Sequence, residues 1–399
     1  MTILFLSPYI YDSKHKEFSR NKTGFGLFVP EMATSIGAHE KVFLLAYVPT
    51  RGFILSKNFG ECIVLRHSFF SAFLCFSWVG IKNGFRELWN TKITLRDRIH
   101  RLYYWLNYGY IKKTIKRIKP DIVHIQNINK PFIHVCNEIK TPYLITLHGI
   151  DGLREDFNSY LAKEEIDFIK KAYIDNVPLA VISTGIKKRI QNEYLNGKNA
   201  ENIFVVPNGT NLSRTSELLY TEKKKVVVAI GSLCYRKNQI QIIEAIKQLG
   251  SKFDEYQLHL CGADMMNGEL QNKVKDYHLD DRVFFHGFIS PKQIDRLLDN
   301  SILNILASKD EGFGLSVIEA FSHGVPTVTF SDLDAVEDLY SEEAMLLCNN
   351  RSTSELAKTI HKALNKEWDA NLIRNHANRF SLEIMATKYL AIYKTILER

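Results

Sequence analysis

The feature that most constrains this chain is a pattern that occurs twice: short apolar runs separated by amphipathic helical stretches. In the first half the runs fall at 3–7, 42–47, 122–126, 143–147, 179–183 and 203–206. In the second they fall at 226–230, 257–261, 283–285, 302–306, 327–330 and 345–348. Strands that are apolar throughout must be covered on both faces, and strands joined through helices run parallel. Each half therefore predicts a doubly wound α/β domain, with ligands at the carboxyl ends of its strands. A length of 399 residues suits two such domains better than one core. Val206-Pro-Asn-Gly209 breaks the first series and 209–224 is polar and turn-prone, so the boundary is placed between residues 210 and 211. The second domain then runs 211–380. The last segment, 381–399, reads as an amphipathic helix with Ile384, Tyr389, Ile392, Tyr393 and Ile396 on its apolar side.

Composition narrows the class of protein. With 45% hydrophobic and 24% charged residues the chain reads as globular and soluble. The opening MTILFLSPYIYD lacks a basic region and a small-residue cleavage site, so it reads as a first strand. The longest apolar run, 68–81, is interrupted by serines and too short to span a bilayer. Six scattered cysteines without a CxxC pair point to reduced core thiols and a cytoplasmic location. No GxxxxGK[ST], GxGxxG after the first strand, HExxH or GxSxG occurs, and the 13 histidines show no metal-ligand spacing. His259 and His286, on expected strands, read as structural.

The most informative stretch is 311–326, EGFGLSVIEAFSHGVP. Gly312 and Gly314 let the backbone approach a ligand closely. A helix starting near Leu315 and capped at Gly324 offers free N–H groups and a positive dipole end, suited to a phosphate. Glu311 and Glu319 would repel that phosphate unless they bind something else, such as sugar hydroxyls. Ser316-x-x-Glu319 equally fits a capping box, in which Glu319 only closes the first helical turn. Arg236 and Lys237 precede a helix over 239–249, at the end of the dipole where cations are disfavoured, and an anion there explains them better than solvation alone. In the first half, Gly24-Phe25-Gly26 closes the loop after the first strand, and His148 and Ser183 end later strands. A tight turn and a hydrogen-bonded strand-end histidine are the plainer readings of Gly26 and His148.

Together these segments resemble the retaining glycosyltransferases of the GT-B fold, in glycosyltransferase family 4. Glu311-GFGLSVI-Glu319 matches that family's E-x7-E signature, and AFSHGVPTV continues it. VPNG at 206–209 and GSLCYRKN at 231–238 match two further segments, and KPDIVHIQN (119–127) and LITLHG (144–149) match the acceptor-side domain. The resemblance implies two Rossmann-like domains facing across a cleft, with the final helix crossing back to the first. Glu311 would accept hydrogen bonds from the donor sugar, and Glu319 from the nucleotide ribose. The amides of Phe313, Gly314 and Leu315 would meet the diphosphate or sugar, beside Gly312. Lys237 would neutralise the departing diphosphate, Gly26 would let a loop approach it, and His148 would sit near sugar and acceptor. The family often has Arg after the glycine at 231; here Ser232 stands there, and Arg236 is the candidate substitute. Front-face displacement with retention is implied, with no metal or other cofactor, since Lys237 and helix amides carry the phosphate charge. Tyr220 and the 213–224 linker would permit domain closure.

The formal charge of +8 is concentrated, with eleven Lys or Arg against Glu87 and Asp97 between residues 82 and 119. Residues 94–119 mix these cations with Tyr103, Tyr104, Trp105, Tyr108 and Tyr110, as in proteins that meet an anionic inner-membrane leaflet. The run 68–81 would dip into the headgroups. Packing of Leu102, Leu106 and Ile115 on the sheet, with solvated charges, is the plainer reading. Expected partners are thus a UDP- or GDP-sugar donor, a glycan or lipid-linked acceptor and a membrane surface. A sugar-nucleotide epimerase or phosphorylase of the same fold is the competing enzyme. Nucleic-acid binding through 82–119 is the non-enzymatic alternative, and no RNA- or DNA-binding module accompanies it.

Overall fold

A computed structural model describes residues 1–7, 24–46, 57–59, 62–66, 75, 77–152, 158–212 and 223–399. The chain divides into two compact units. The first comprises Met1–Ile182, Ile186–Val206 and Met385–Arg399; the second comprises Ser183–Gly185 and Pro207–Ile384.

The first unit is built on an eight-stranded sheet. Its strands are β1 (Thr2–Ser7), β2 (Lys41–Ala46), β3 (Lys57–Phe59), β4 (Cys62–Arg66), β5 (Ile122–Gln126), β6 (Tyr143–Leu147), β7 (Leu179–Val181) and β8 (Ile203–Val205). They lie in the order β3-β4-β2-β1-β5-β6-β7-β8, all parallel except β3 against β4. Ile3 to Leu6 of β1 are fully buried, as a strand sandwiched between helical layers must be. β3 and β4 are additions to the sequence reading. Cys62–Arg66 carries a findable β-branched run, whereas Lys57–Phe59 has one apolar residue and no strand signal. β7 stops at Val181, so Ser183 lies beyond its end.

Gly24-Phe25-Gly26 is not the end of a loop, because it forms the first turn of a helix running Gly24–Gly37. The first turn is where helical N–H groups have no acceptor to satisfy, so glycine is tolerated there. Pro30, inside this helix, has no N–H to donate to the Gly26 carbonyl.

The basic segment is helical and partly packed inward. It forms the helices Leu95–Leu106 and Tyr108–Ile118. Trp105 and Tyr108 are buried and stacked on each other, with ring centroids 5.9 Å apart. The Tyr108 hydroxyl is 2.9 Å from His134 Nδ1 and also donates to Glu138. Lys112 pairs with Glu138, and Arg101 bridges Glu87 at 3.0 Å and Glu164 at 2.7 Å. Trp105 and Tyr108 anchor the helices to Lys130–Ile139, Tyr103, Tyr104 and Tyr110 are half-buried, and Arg101 and Lys112 are engaged in ion pairs. Most of 68–81 and of 213–224, including Tyr220, lies outside the described residues. Lys223 does not: it is buried, with Nζ donating to the carbonyls of Leu298 and Asp299. Among the described residues no helix is long and apolar enough to cross a membrane.

The C-terminal helix, Leu382–Leu397, is stitched into the first unit by a buried polar network. His124 of β5 joins Tyr393 Oη through Nδ1 and Thr146 Oγ1 through Nε2, each at 2.6 Å. Tyr389 Oη is 3.2 Å from the same threonine. The buried stripe is Met385, Ala386, Tyr389, Ile392 and Tyr393, while Ile384 is exposed. The extra apolar residue at 384 falls off the stripe by one helical step.

The second unit carries a six-stranded parallel sheet. Its strands are β9 (Val226–Ile230), β10 (Gln257–Cys261), β11 (Val283–Gly287), β12 (Ser301–Leu306), β13 (Thr327–Phe330) and β14 (Met345–Cys348). The order β11-β10-β9-β12-β13-β14 is that of a Rossmann sheet, and the chain reverses direction across it between β9 and β12. That switch point is where a ligand crevice is expected.

Candidate functional site

The residues singled out in the second unit gather at this switch point. Gly231 follows β9 and Gly262 follows β10; a Cβ on Gly262 would lie 2.0 Å from the Gly231 carbonyl oxygen. Only glycine allows these two strand ends to touch. The Lys237 stem lies against Gly231, whose own Cβ would be 3.2 Å from Lys237 Cε. Lys237 Nζ thereby reaches Glu311, to which it donates a hydrogen bond.

Glu311 is held from several sides. It accepts a hydrogen bond from Ser308 Oγ at 3.2 Å, and the Arg236 guanidinium stands 3.9 Å away. Arg236 Nη1 also donates to the Asp310 carbonyl at 2.9 Å, and Lys309 N–H donates to the Arg236 carbonyl at 2.8 Å. The loop before the glycines is thus fastened to the start of the helix Gln239–Leu249. Burial pushes the Glu311 carboxyl up, but Lys237, Arg236 and Ser308 outweigh it and hold the group below the usual carboxylate range. Glu311 is an anion caged by two cations.

The turn that follows is backbone-directed. Phe313 is buried edge-on against Phe380, so only its main chain is available to a ligand. Gly314 adopts φ 87°, a left-handed conformation natural to glycine, and is the N-cap of the helix Leu315–Ser322. It supplies no side-chain cap, so the first N–H groups keep their donor capacity. Ser316 lies inside the first turn instead of at the cap, and Ser316–Glu319 is therefore not a capping box. Glu319 sits one turn further in, half-buried, as are Gly312 and Leu315 of the same segment.

Sequence reasoning passed over Asn238 and Gln241. Asn238 holds φ 56° at the N-cap of Gln239–Leu249, with Nδ2 donating to Gln241 Oε1 at 2.5 Å and to the Ala307 carbonyl at 3.3 Å. It links the end of β12 to the helix that Lys237 precedes. A polar residue directly after a lysine at a helix start was the available signal.

His148 and Gly26 belong to the other unit. His148 follows β6, its Nε2 2.7 Å from Gln126 Oε1, and its N–H donates to Asn127 Oδ1 at 3.2 Å. Burial lowers the His148 imidazole to about 3, which keeps it neutral at physiological pH. The Phe28 ring packs edge-on to it at 5.8 Å, tying the helix Gly24–Gly37, whose first turn holds Gly26, to this histidine. Gln126, another residue not singled out, is fully buried, and its Nε2 has no hydrogen-bond partner among the described residues. A buried amide left open beside a histidine at a strand end is an arrangement that a polar ligand would complete.

The two sheets define the GT-B class of fold. Residues 214–381 match the family model described as glycosyl transferases group 1, and residues 87–177 match glycosyl transferase 4-like. The group 1 glycosyl transferase model thus covers nearly all of the second unit. It is 25% identical over 177 residues to the 2-deoxystreptamine N-acetyl-D-glucosaminyltransferase of Niallia circulans, covering 43% of this chain and 46% of that protein. It is 21% identical over 236 residues to the alpha-monoglucosyldiacylglycerol synthase of Streptococcus pneumoniae, covering 53% and 52%. The chain thus spans about half the length of these curated relatives. Anabaena HepE, solved in complex with UDP and glucose, superposes with a TM-score of 0.69 at 16% identity, over 99% of this chain and 100% of that one.

Proposed function

We propose that the chain is a retaining glycosyltransferase, moving a hexose-type sugar from a UDP- or GDP-sugar to a hydroxyl of a glycan or lipid-linked acceptor at the cytoplasmic face of a membrane. The observation that carries this reading is the Lys237–Glu311 pair at the switch point of the second sheet. Binding of the donor exchanges partners: Lys237 turns to the diphosphate, and Glu311, released, accepts hydrogen bonds from the sugar. Arg236 and the N–H groups of Phe313, Gly314 and Leu315 share the phosphate charge, and Glu319 takes the ribose, so no metal is assigned a role. The C1–phosphate oxygen bond breaks with its electron pair passing to the diphosphate. The acceptor oxygen forms the new bond on the same face, and its proton passes to the departing oxygen. His148, neutral, orients sugar and acceptor, and Gly26 gives the diphosphate close access to backbone.

The N. circulans relative is named for transfer of N-acetyl-D-glucosamine to 2-deoxystreptamine, the S. pneumoniae relative for synthesis of alpha-monoglucosyldiacylglycerol, and HepE was solved with UDP and glucose. These support a nucleotide-sugar donor with a glycan or lipid-linked acceptor, and a hexose over an epimerase reaction. A thermal-shift screen with UDP-, GDP- and ADP-sugars tests the reading, because a ligand stabilises the state that binds it. One base should raise Tm, and its sugar should be transferred with an unchanged anomeric configuration by NMR. No shift with any donor, or an inverted product, overturns it.

A further inference from the structure

Helix Trp78–Leu88 carries a surface that the transfer reaction does not use. Its inward side is made of Gly80 and Gly84, which bring it onto the backbone of Leu95–Leu106. A Cβ at Gly80 would lie 2.3 Å from the Trp105 carbonyl oxygen, and one at Gly84 2.8 Å from Leu102 Cδ1. The helix therefore cannot rotate about its axis without driving a side chain into its neighbour. Arg101, bridging Glu87 and Glu164, fixes it further.

This seating forces the opposite side outward. Trp78, Lys82, Phe85, Arg86 and Trp89 follow one another at i, i+4, i+7, i+8 and i+11, a single helical stripe. Trp78 is 71% exposed, Phe85 51% and Trp89 78%. On the partner helix Leu95 and Ile99 are also exposed, at 62% and 51%, with Arg96 beside them. Glu87 faces inward to Arg101, and Asp97 takes the Thr94 hydroxyl in the helix cap. Among the described residues no carboxylate lies within ion-pair distance of Lys82, Arg86 or Arg96. Large apolar side chains interleaved with unpaired cations combine an insertion surface with a charge that an anionic bilayer complements.

We propose that the outer face of the 78–106 helix pair docks on an anionic lipid bilayer, with Trp78, Phe85 and Trp89 entering the interface and Lys82, Arg86 and Arg96 contacting headgroups. This specifies the membrane partner of the proposed transferase with residues other than the Tyr and Trp of 103–110. Docking needs no donor, so it stands or falls apart from sugar transfer.

The tryptophans supply the probe. Of the four, Trp105 and Trp368 are buried, leaving Trp78 and Trp89 to report on the surface. Vesicles of phosphatidylcholine with phosphatidylglycerol should sediment the full chain at low salt, blue-shift its emission and shield it from acrylamide. Pure phosphatidylcholine should do so much less. Trp78→Ser with Trp89→Ser should lower partitioning about tenfold or more, and Lys82→Gln, Arg86→Gln and Arg96→Gln together should erase most of the anionic preference. Trp78→Phe with Trp89→Phe should keep docking and lose the emission change. Lys113→Gln, Lys116→Gln and Arg117→Gln together should leave partitioning within about twofold, since those cations lie off the ridge. Unchanged circular dichroism and Tm certify that the variants fold. Absence of sedimentation and shift, or equal binding to neutral vesicles, overturns the proposal. So does a concentration-dependent dimer, formed without vesicles and lost in Trp78→Ser with Trp89→Ser, which would assign the face to a second copy of the chain.

Discussion

Replacing Glu311 by Gln should have two opposite effects, and their opposition tests the partner exchange. Lys237 and Glu311 are 14% and 13% exposed, so their bond is neither a surface pair worth under about 1 kcal/mol nor a dry one costing about 3–5 kcal/mol to break. An intermediate value of about 2 kcal/mol is what a diphosphate must overcome to recruit Lys237. Gln at 311 removes that cost and a nearby negative charge. Free UDP, or GDP if the wild type prefers it, should bind about tenfold or more tightly, since about 1.4 kcal/mol is a factor of ten. Transfer from the matching nucleotide-sugar should fall by about a hundredfold or more, because a neutral amide oxygen accepts sugar hydroxyls more weakly than a carboxylate and carries no charge to stabilise the transition state. Lys237→Met should move diphosphate affinity the other way. Arg236, 3.9 Å from Glu311, remains to compensate the carboxylate, so this variant should fold with reduced Tm. Calorimetric titration of both variants with the free nucleoside diphosphate decides the matter. Unchanged or weaker binding by Glu311→Gln would refute the exchange, even if transfer were lost.

Two further outcomes follow from the geometry. His148 is neutral in the fold down to about 3, against about 6.5 unfolded, so in this window the unfolded chain binds a proton that the folded chain refuses. Stability should therefore fall as pH drops below about 6.5, by about 2 kcal/mol at pH 5 from this group; urea midpoints should show His148→Gln flattening that slope, and an unchanged slope would count against it. Gly262→Ala, with its Cβ 2.0 Å from the Gly231 carbonyl, should cost about 1–3 kcal/mol and weaken donor binding by displacing the residue on which Lys237 rests. Gly250→Ala, strained at φ 55° but with nothing within 4 Å, should cost about 1 kcal/mol and leave binding intact. Equal donor affinity in both variants would separate the strand-end contact from the site.

The second sheet was legible because each of its strands is a short stretch rich in apolar residues, bounded by polar or glycine-rich turns. β9, β10, β13 and β14 fall where those runs do. Legibility failed where tertiary packing, not local pattern, decides the outcome. Tyr103 to Tyr110 have the composition of an interfacial belt, but Trp105 and Tyr108 are turned inward by their contacts with Lys130–Ile139. The aromatics that do face out, Trp78 and Trp89, sit on a helix whose orientation is dictated by Gly80 and Gly84, and a glycine pair carries no periodic signal of its own.

The site shows the same limit in another form. Arg236 and Lys237 were conspicuous because cations sit badly at a helix start, and Glu311 because a carboxylate sits badly near a phosphate. Each misfit pointed to a ligand, and each was resolved on paper by assigning that residue its own part of the ligand. Across 74 residues of chain the structure resolves the two misfits against each other. The Glu311 carboxylate is thereby compensated by Lys237, with Arg236 3.9 Å away. A residue-by-residue reading assigns roles to Lys237 and Glu311 separately, and so misses the hydrogen bond that joins them, which under the proposed exchange must break before either role can be filled.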